Sequence, residues 1–519
     1  MKNKYAVKAG YLMLAILLLN GFSATAQSKN YKKELSELNK YYDQALHDWE
    51  VPGMAVAIVK DDQVIFAEGF GLREIGSSEA VDEQTMFPIA SNTKAFTAAA
   101  LAILVDQGKI DWDDKVIEYL PWFRMYNPYV TANMTIRDLL SHRSGLATFS
   151  GDLLWYGTTY NRQEVVERAR YLEPVYGFRQ SFGYSNIMYV AAGLIIPAVS
   201  GQSWDDFVEA NFLEPLQMNR SITSTNELSN FDNVASPHTD FNDEVIVVDY
   251  LNWDNVAPAG AIISSVSDVA QWLKLQLNRG IWDGDTIFSP QQSHEMWSQQ
   301  TVQGVSGWSE KNWPSTTFKS YGLGWGLSNY LGHKIVGHSG GYDGMISYTC
   351  MVPDENLAFV ILTNKNSSLY YSLIYKTLDV FLDGGEKDWS AFMLDLKDKG
   401  AARDSAAKEE KIKIRVKDTK PSLDLNEYTG IYTSEMFGDA EVTFYQGELS
   451  VQMLPAPKFV GKLSHWHFDT FEIIFTEFPS LPPGFCTFVL DQEGKASELK
   501  IDVPNPDFDF TELKFYRSK

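Results

Sequence analysis

The chain is 519 residues long, 45% hydrophobic and 13% aromatic, with 14 Trp, which describes a packed globular protein too long for one core and not a disordered one. Its net charge of -23, with no offsetting basic patch, argues against nucleic acid and anionic membrane surfaces as partners, because both would repel it.

The first residues have the pattern of an export signal: Lys2, Lys4 and Lys8, an apolar core from Tyr11 to Leu19, and Ala24-Thr25-Ala26 as a small-residue cleavage site. The apolar core is too short to stay as a membrane-spanning helix, so cleavage after Ala26 predicts a periplasmic or secreted protein with no stable membrane anchor. Residues 27–383 are expected to form one domain. Leu35, Leu38, Tyr42, Leu46 and Trp49 recur at helical spacing, and Met54 to Val59 and Val64 to Phe70 flank the polar turn Lys60-Asp61-Asp62-Gln63 as a hairpin.

Helical patterns dominate from 95 to 280, including Ile187 to Val199, Trp204 to Phe212 behind Ser203 as cap, and Val269 to Leu277 behind Ser267 as cap. Strand patterns return at Lys334 to Gly337, Ile346 to Val352 and Leu357 to Thr363, followed by a helix from Leu369 to Leu382. This order predicts a mixed α/β domain, an antiparallel sheet assembled from both ends of the domain and flanked by helices, with an all-helical lobe inserted.

Residues 384–420, rich in Lys, Glu, Asp and Ala, are expected to be a partly helical linker. Residues 421–519 alternate in short segments separated by turns, which predicts a small up-and-down β-barrel. Cys350 and Cys486, the two cysteines, fall in different expected domains, so two buried thiols are expected and not a disulfide framework.

Within this frame, Ser91-Asn92-Thr93-Lys94 sets a hydroxyl and an amine on one face at the start of a strongly apolar helix. A serine needs a base to become nucleophilic, and a desolvated lysine has a lowered pKa. The SxxK pattern also occurs at Ser405/Lys408 and Ser497/Lys500, in a charged stretch and near a turn, without a buried helix behind either. Downstream, Tyr184-Ser185-Asn186 opens an apolar helix and offers a phenol and an amide. His338-Ser339-Gly340-Gly341 ends a strand, where glycines let a carbonyl approach the backbone.

The ordered set Ser91-x-x-Lys94, Tyr184-x-Asn186 and His338-x-Gly340 resembles the serine β-lactamase and penicillin-binding protein superfamily, in its class C β-lactamase-like, esterase and D-aminopeptidase-like branch. Pro52-Gly53-Met54, Thr135 to Leu146, Pro258-Ala259-Gly260 and Tyr321 to Gly326 are similar too, over about residues 33–383. Tyr428-Thr429-Gly430-Ile431-Tyr432 resembles a small lipocalin-like domain appended to such hydrolases.

The resemblance implies that Ser91 forms an acyl-enzyme, with Tyr184 as base and later acid and Lys94 as its electrostatic partner. It further implies an oxyanion hole from the N–H groups of Ser91 and Gly341, substrate orientation by Asn186, and a cleft bordered by His338 and Gly340. The Ser/Lys/Tyr set is complete, so no metal and no cofactor is expected. His465 and His467 lack a third ligand and are expected to be structural, as is the loop carrying His142, with Asp138 and Arg143 a fold-stabilising pair.

The third motif begins with His338 where typical β-lactamases carry lysine. A mostly neutral histidine anchors a substrate carboxylate weakly. The expected substrates are therefore small-molecule or peptide acyl compounds: esters, amides or D-amino-acid peptides, with weak or no β-lactam hydrolysis. The alternatives are a D-aminopeptidase or DD-carboxypeptidase, an acyltransferase to an alcohol or amine, and a penicillin-binding sensor that does not turn over. Oligomeric state is left open.

Overall fold

The computed structural model describes residues 31–518, so the export signal expected over residues 1–26 lies outside the described residues. Helix α1 (Lys32–Asp48) runs across the division between two compact units, one ending at Tyr41 and the other starting at Tyr42. Everything described below belongs to the second unit.

An eight-stranded antiparallel sheet forms the first half of this unit. Its strands are β1 (Gly53–Lys60), β2 (Gln63–Gly71), β3 (Thr301–Gln303), β4 (Lys319–Tyr321), β5 (Gly326–Tyr330), β6 (His333–Tyr342), β7 (Met345–Val352) and β8 (Leu357–Thr363). The spatial order is β2-β1-β8-β7-β6-β5-β4-β3. Strands from opposite ends of the domain are therefore neighbours, with Met54 opposite Thr363. Strand β8 is buried throughout and β1 as far as Val59, which suits a sheet covered on both faces. The expected mixed α/β class holds.

Between β2 and β3 the chain builds the helical lobe. Its helix α2 (Thr93–Asp106) buries every residue from Thr93 to Leu104, and α3 (Asn186–Ser200), more apolar still, is buried from Asn186 to Gly193 and at Ile195 and Ile196. Ser185 caps α3 by accepting from Met188 N–H, and Gly201 ends it in the left-handed conformation at φ 78°. Helix α4 (Val266–Leu277) starts one turn-register earlier than expected. Ser265, not Ser267, is its cap, because Ser265 is extended and stands three residues before Asp268, whose N–H its hydroxyl accepts. Ser203 caps the helix at Trp204–Val208, which passes into a wider turn over Glu209–Leu213.

Helix α5 (Leu369–Phe381) packs against the sheet, and α6 (Trp389–Ile414) follows, so the stretch 384–420 carries 26 residues of helix. Only its first turns are buried, through Trp389, Ser390 and Met393. Beyond it, β9 (Gly430–Ser434), β10 (Gly438–Tyr445), β11 (Glu448–Met453), β12 (Val460–His467), β13 (Thr470–Phe475), β14 (Gly484–Leu490), β15 (Ala496–Asp502) and β16 (Phe515–Arg517) close into a barrel in chain order. Tyr428, Tyr432, Phe471 and Phe488 fill its interior with contacting rings. Closure leaves this barrel no free sheet edge.

The barrel docks on the lobe segment 150–168. Thr159 N–H donates to Pro455 O at 2.8 Å, Tyr160 Oη to Phe437 O at 2.5 Å, and Arg168 Nη1 to Met436 O at 2.8 Å. Tyr156 packs on Phe508 with ring centroids 4.2 Å apart, so one hydrophobic core runs through both halves. Cys350 and Cys486 are free and buried, and burial pushes both thiols well above their ordinary range.

Candidate active site

The backbone ahead of the serine is bent sharply. Ala90 is fully buried and adopts φ 46°, a left-handed conformation that alanine rarely takes, and it opens the short turn Ala90–Asn92 that leads into α2. Asn92 pins this turn to β7, since its Nδ2 donates to Ser347 Oγ at 2.8 Å and its Oδ1 accepts from Thr349 Oγ1 at 2.6 Å. Ser347 in turn donates to Ile89 O at 2.6 Å. Strand β6 comes so close here that a Cβ on Gly340 would lie 2.2 Å from Ile89 O and 2.3 Å from Ser347 Oγ. Gly341 is different: a Cβ there would meet only Ile346 Cδ1, at 3.9 Å, and would project toward open space.

Lys94, with 0% exposure, donates from Nζ to Ser91 Oγ at 3.0 Å, Asn186 Oδ1 at 2.6 Å and Ala259 O at 2.9 Å. Burial lowers its pKa to about 7, with Asp152 pulling the other way. Asn186 passes the connection on, its Nδ2 donating to Asp152 Oδ2 at 2.6 Å. Asp152 is itself buried, which raises its pKa to about 7 against contacts from Trp155, Asn186 and Lys94.

Tyr184 lies on the other side of the lysine, its ring centroid 4.8 Å from Nζ. Burial raises the phenol well above its usual pKa, although Ser91 is near enough to oppose the shift. The resting phenol is therefore protonated. His142 supports it from behind, ring centroids 4.2 Å apart, and accepts from Ser185 N–H at Nδ1, which assigns its proton to Nε2. Buried, and facing Lys94 and His338, His142 is held well below its ordinary pKa and stays neutral. It is a packing partner of the site, as expected for its loop. Asp138 in that loop takes Arg143 Nε at 2.6 Å and also Arg179 Nη2 at 2.7 Å.

His338 borders the cleft from β6. Its Nδ1 lies 2.6 Å from Ser339 O and its Nε2 2.8 Å from Tyr321 Oη. The carbonyl can only accept, so Nδ1 carries the proton and Nε2 accepts from the tyrosine. Burial and Lys94 lower its pKa to about 3, so it bears no charge at neutral pH. Ser91, Tyr184, Asn186, His338, Gly340 and Gly341 all line one cavity of about 760 Å³, with Lys94 just behind.

Asp152 and Tyr321 were not singled out as site residues from the sequence. Tyr321 opens the phrase Tyr321 to Gly326, but nothing local pairs it with His338; Asp152 follows Gly151 in a short turn with no pattern around it. The other SxxK pairs are elsewhere: Ser405 and Lys408 are exposed on α6, and Ser497 and Lys500 sit on β15. His465 Nε2 contacts Phe468 O, and His467 Nδ1 accepts from Val416 N–H at the bulged end of β12.

Comparison with known proteins agrees with this geometry. The Beta-lactamase family model matches residues 38–375, and a domain of unknown function (DUF3471) matches residues 414–517. An unguisins hydrolase, ungD′, from Aspergillus campestris is 30% identical over 75% of this chain and 74% of its own length. Protein flp from Staphylococcus aureus is 28% identical over 65% of this chain and 64% of its own. Among solved structures, the octameric penicillin-binding protein homologue from Pyrococcus abyssi shares the fold, with TM-score 0.61 at 21% identity over 93% of this chain and all of that one. With its family match extending over well over half of its length, the chain belongs to the β-lactamase family, within the serine β-lactamase and penicillin-binding protein superfamily of hydrolases.

Proposed function

We propose that the protein is an exported serine hydrolase that forms an acyl-enzyme on Ser91 with esters, amides or D-amino-acid peptides. The observation that carries this reading is the 3.0 Å contact between Ser91 Oγ and the Nζ of a fully buried lysine whose pKa is lowered to about 7. In its neutral form the amine keeps its donations to Asn186 Oδ1 and Ala259 O and turns its lone pair to Ser91, taking the hydroxyl proton as Oγ attacks the carbonyl.

The division of labour differs from the one that the resemblance alone implies. Lys94 is the resting proton acceptor, because Tyr184 is held protonated by burial and cannot begin as the base. Tyr184 Oη instead gives its proton to the departing alkoxide or amine and takes its replacement from the Lys94 ammonium, which holds the proton that left Ser91. Deacylation reverses the path, with water in the place of the leaving group. Asn186 and Asp152 fix Nζ in line, and the N–H groups of Ser91 and Gly341 receive the developing oxyanion. No step requires a metal or cofactor.

The uncharged His338 supports poor β-lactam turnover, since it gives a substrate carboxylate no cation. The basic start, apolar core and Ala24-Thr25-Ala26 support export, and the charge of -23 supports a life apart from nucleic acid. The hydrolase name of the ungD′ relative supports hydrolysis over transfer to an alcohol or a stalled acyl-enzyme. The deciding experiment is hydrolysis of p-nitrophenyl acetate by wild type and Ser91→Ala, with mass spectrometry of the fluorophosphonate-labelled protein. Labelling at Ser91 and complete loss of turnover in the variant are expected; activity that survives in Ser91→Ala overturns the assignment.

A further inference from the structure

The cavity that holds Ser91 is not uniform in charge. The flank facing the barrel is acidic and aromatic, with Asp343 and Asp507 beside Tyr156 and Phe508. A second flank is formed by the segment after β8 and by α6, through Lys365, Asn366, Ser368 and Lys397. Strand register sets its distance from the reacting group. Gly341, whose N–H serves the proposed oxyanion hole, stands opposite Ile346 on β7, and Ile346 stands opposite Thr363 at the end of β8. The rim that follows Thr363 is therefore two strand spacings, roughly 10 Å, from the oxyanion donor.

The charges on the wall can be taken one by one. Asp152 Oδ2 accepts from Asn186 next to Lys94, and Asp343 Oδ1 accepts from Tyr156 Oη. Burial, with Asp507 nearby, raises the pKa of Asp343 to about 6. Asp240 pairs with Lys365 at 2.7 Å, and Lys365 Nζ also donates to Glu50 O at 3.2 Å. Lys397 remains. It is exposed, it has no ion-pair partner among the described residues, and its ammonium stands 5.7 Å from the ring centroid of Trp49. Trp49 directly precedes Glu50, so α6 brings Lys397 to the flank where Lys365 lies. Asn366 and Ser368 on that flank are exposed too, and neither side chain has a hydrogen-bond partner among the described residues. Three donors, one of them charged, thus face the cavity uncommitted and open to solvent. Position 397 falls between the two matched families, which end at 375 and resume at 414.

We propose that Lys397, with Asn366 and Ser368, binds a carboxylate that the substrate carries roughly 10 Å from the carbonyl attacked by Ser91, so that acyl compounds with a remote negative charge are favoured. The ammonium, amide and hydroxyl donate to the carboxylate oxygens. Asp343 and Asp507 repel the same group from the barrel flank and so fix which way the substrate lies. A carboxylate next to the reacting carbonyl faces the neutral His338 instead and is out of reach of Lys397. This rests on the reading of Ser91 as the nucleophile, and it assigns specificity to a helix outside both matched families.

The test uses the full chain and two series of esters, each free acid set against its own methyl ester. One series carries the charge on the acyl side, as p-nitrophenyl hemi-esters of succinate, adipate, suberate and sebacate. The other carries it on the leaving side, as acetyl esters of ω-hydroxy acids of matching length. In at least one series the long acids should exceed their methyl esters in kcat/KM by about fivefold to tenfold, the size of an accessible charge pair with added hydrogen bonds, while the shortest pair shows no preference. Added salt should shrink the preference, because an exposed pair is screened. Lys397→Met should abolish it mainly through KM, Lys397→Arg should keep it, and Lys397→Glu should reverse it. Equal kcat/KM for acid and methyl ester at every length in both series overturns the proposal, and so does a preference that Lys397→Met leaves intact. The two readings fail separately: turnover persisting in Ser91→Ala removes the nucleophile, whereas a dead Ser91→Ala with no acid preference in wild type removes only the role of Lys397.

Discussion

The helical lobe and the C-terminal barrel bury their interiors in opposite ways. At the head of α2, four polar side chains, Asn92, Thr93, Lys94 and Thr97, are all buried within one and a half turns. Of the described polar side chains beyond Ser390, Ser434 alone is buried, and the barrel is filled instead by aromatic rings. A buried amine is stabilised only by partners that are themselves fixed, so the lobe gives up packing energy to hold Lys94 near neutrality, while the barrel is free of that demand. Buried polar groups are thus concentrated in the half that carries the candidate site, and the two halves meet along residues 150–168.

The largest expected effect follows from removing the buried amine. Lys94→Met should lower kcat/KM for p-nitrophenyl acetate by about 10²–10⁴-fold, the range for a general base, with circular dichroism unchanged. A smaller loss would break the comparison by showing that the polar chain is structural. The two glycines sharpen it next. Gly340→Ala forces a Cβ to 2.2 Å from Ile89 O and should cost about 1–3 kcal/mol in urea unfolding as well as activity. Gly341→Ala, open on that side, should stay within about 0.5 kcal/mol of wild type and affect only kcat/KM.

The pH dependence has a defined sign. The proposed mechanism needs Lys94 unprotonated, and its pKa is lowered to about 7, so kcat/KM should rise about tenfold per pH unit below that value and level off above it. A profile still climbing steeply at pH 9 would transfer the base role to Tyr184. The smallest effect is expected at the seam. Glu512 of the barrel accepts from Gly151 N–H at 2.7 Å and from Ser150 Oγ, one residue from Asp152. Glu512→Gln should cost about 1 kcal/mol of stability, seen as a lowered urea midpoint, with a change in kcat/KM of a few-fold at most. A far larger kinetic loss would mean that the halves share the catalytic work.

Much of this was legible in the sequence because it is local. The SxxK spacing with an apolar run behind it located Ser91 and Lys94, period-two alternation announced the barrel, and Tyr184-x-Asn186 stood at a helix entry. What was not legible depends on contacts between distant segments. Asp152 lies 34 positions from the Asn186 it holds, and Tyr321 reaches His338 across the sheet. The cap of α4 was placed at Ser267 because two serines compete there, and only the extended backbone at Ser265 decides between them. The raised pKa of Tyr184 likewise follows from the packing around its ring, which no spacing encodes.

The left-handed turn at Ala90 has a consequence for how this enzyme can change. A conformation that costs about 1–3 kcal/mol is kept there because it aims Ser91 through the main chain and not through a rotamer. Position 90 is fully enclosed, so a larger side chain has nowhere to go, and glycine would ease the strain only by loosening the aim. The residue before the proposed nucleophile is thus a position with little freedom to vary. Room for altered contacts lies instead on the other cavity walls, among Trp155, Tyr156 and Phe508, while Ser91 stays where the backbone has fixed it.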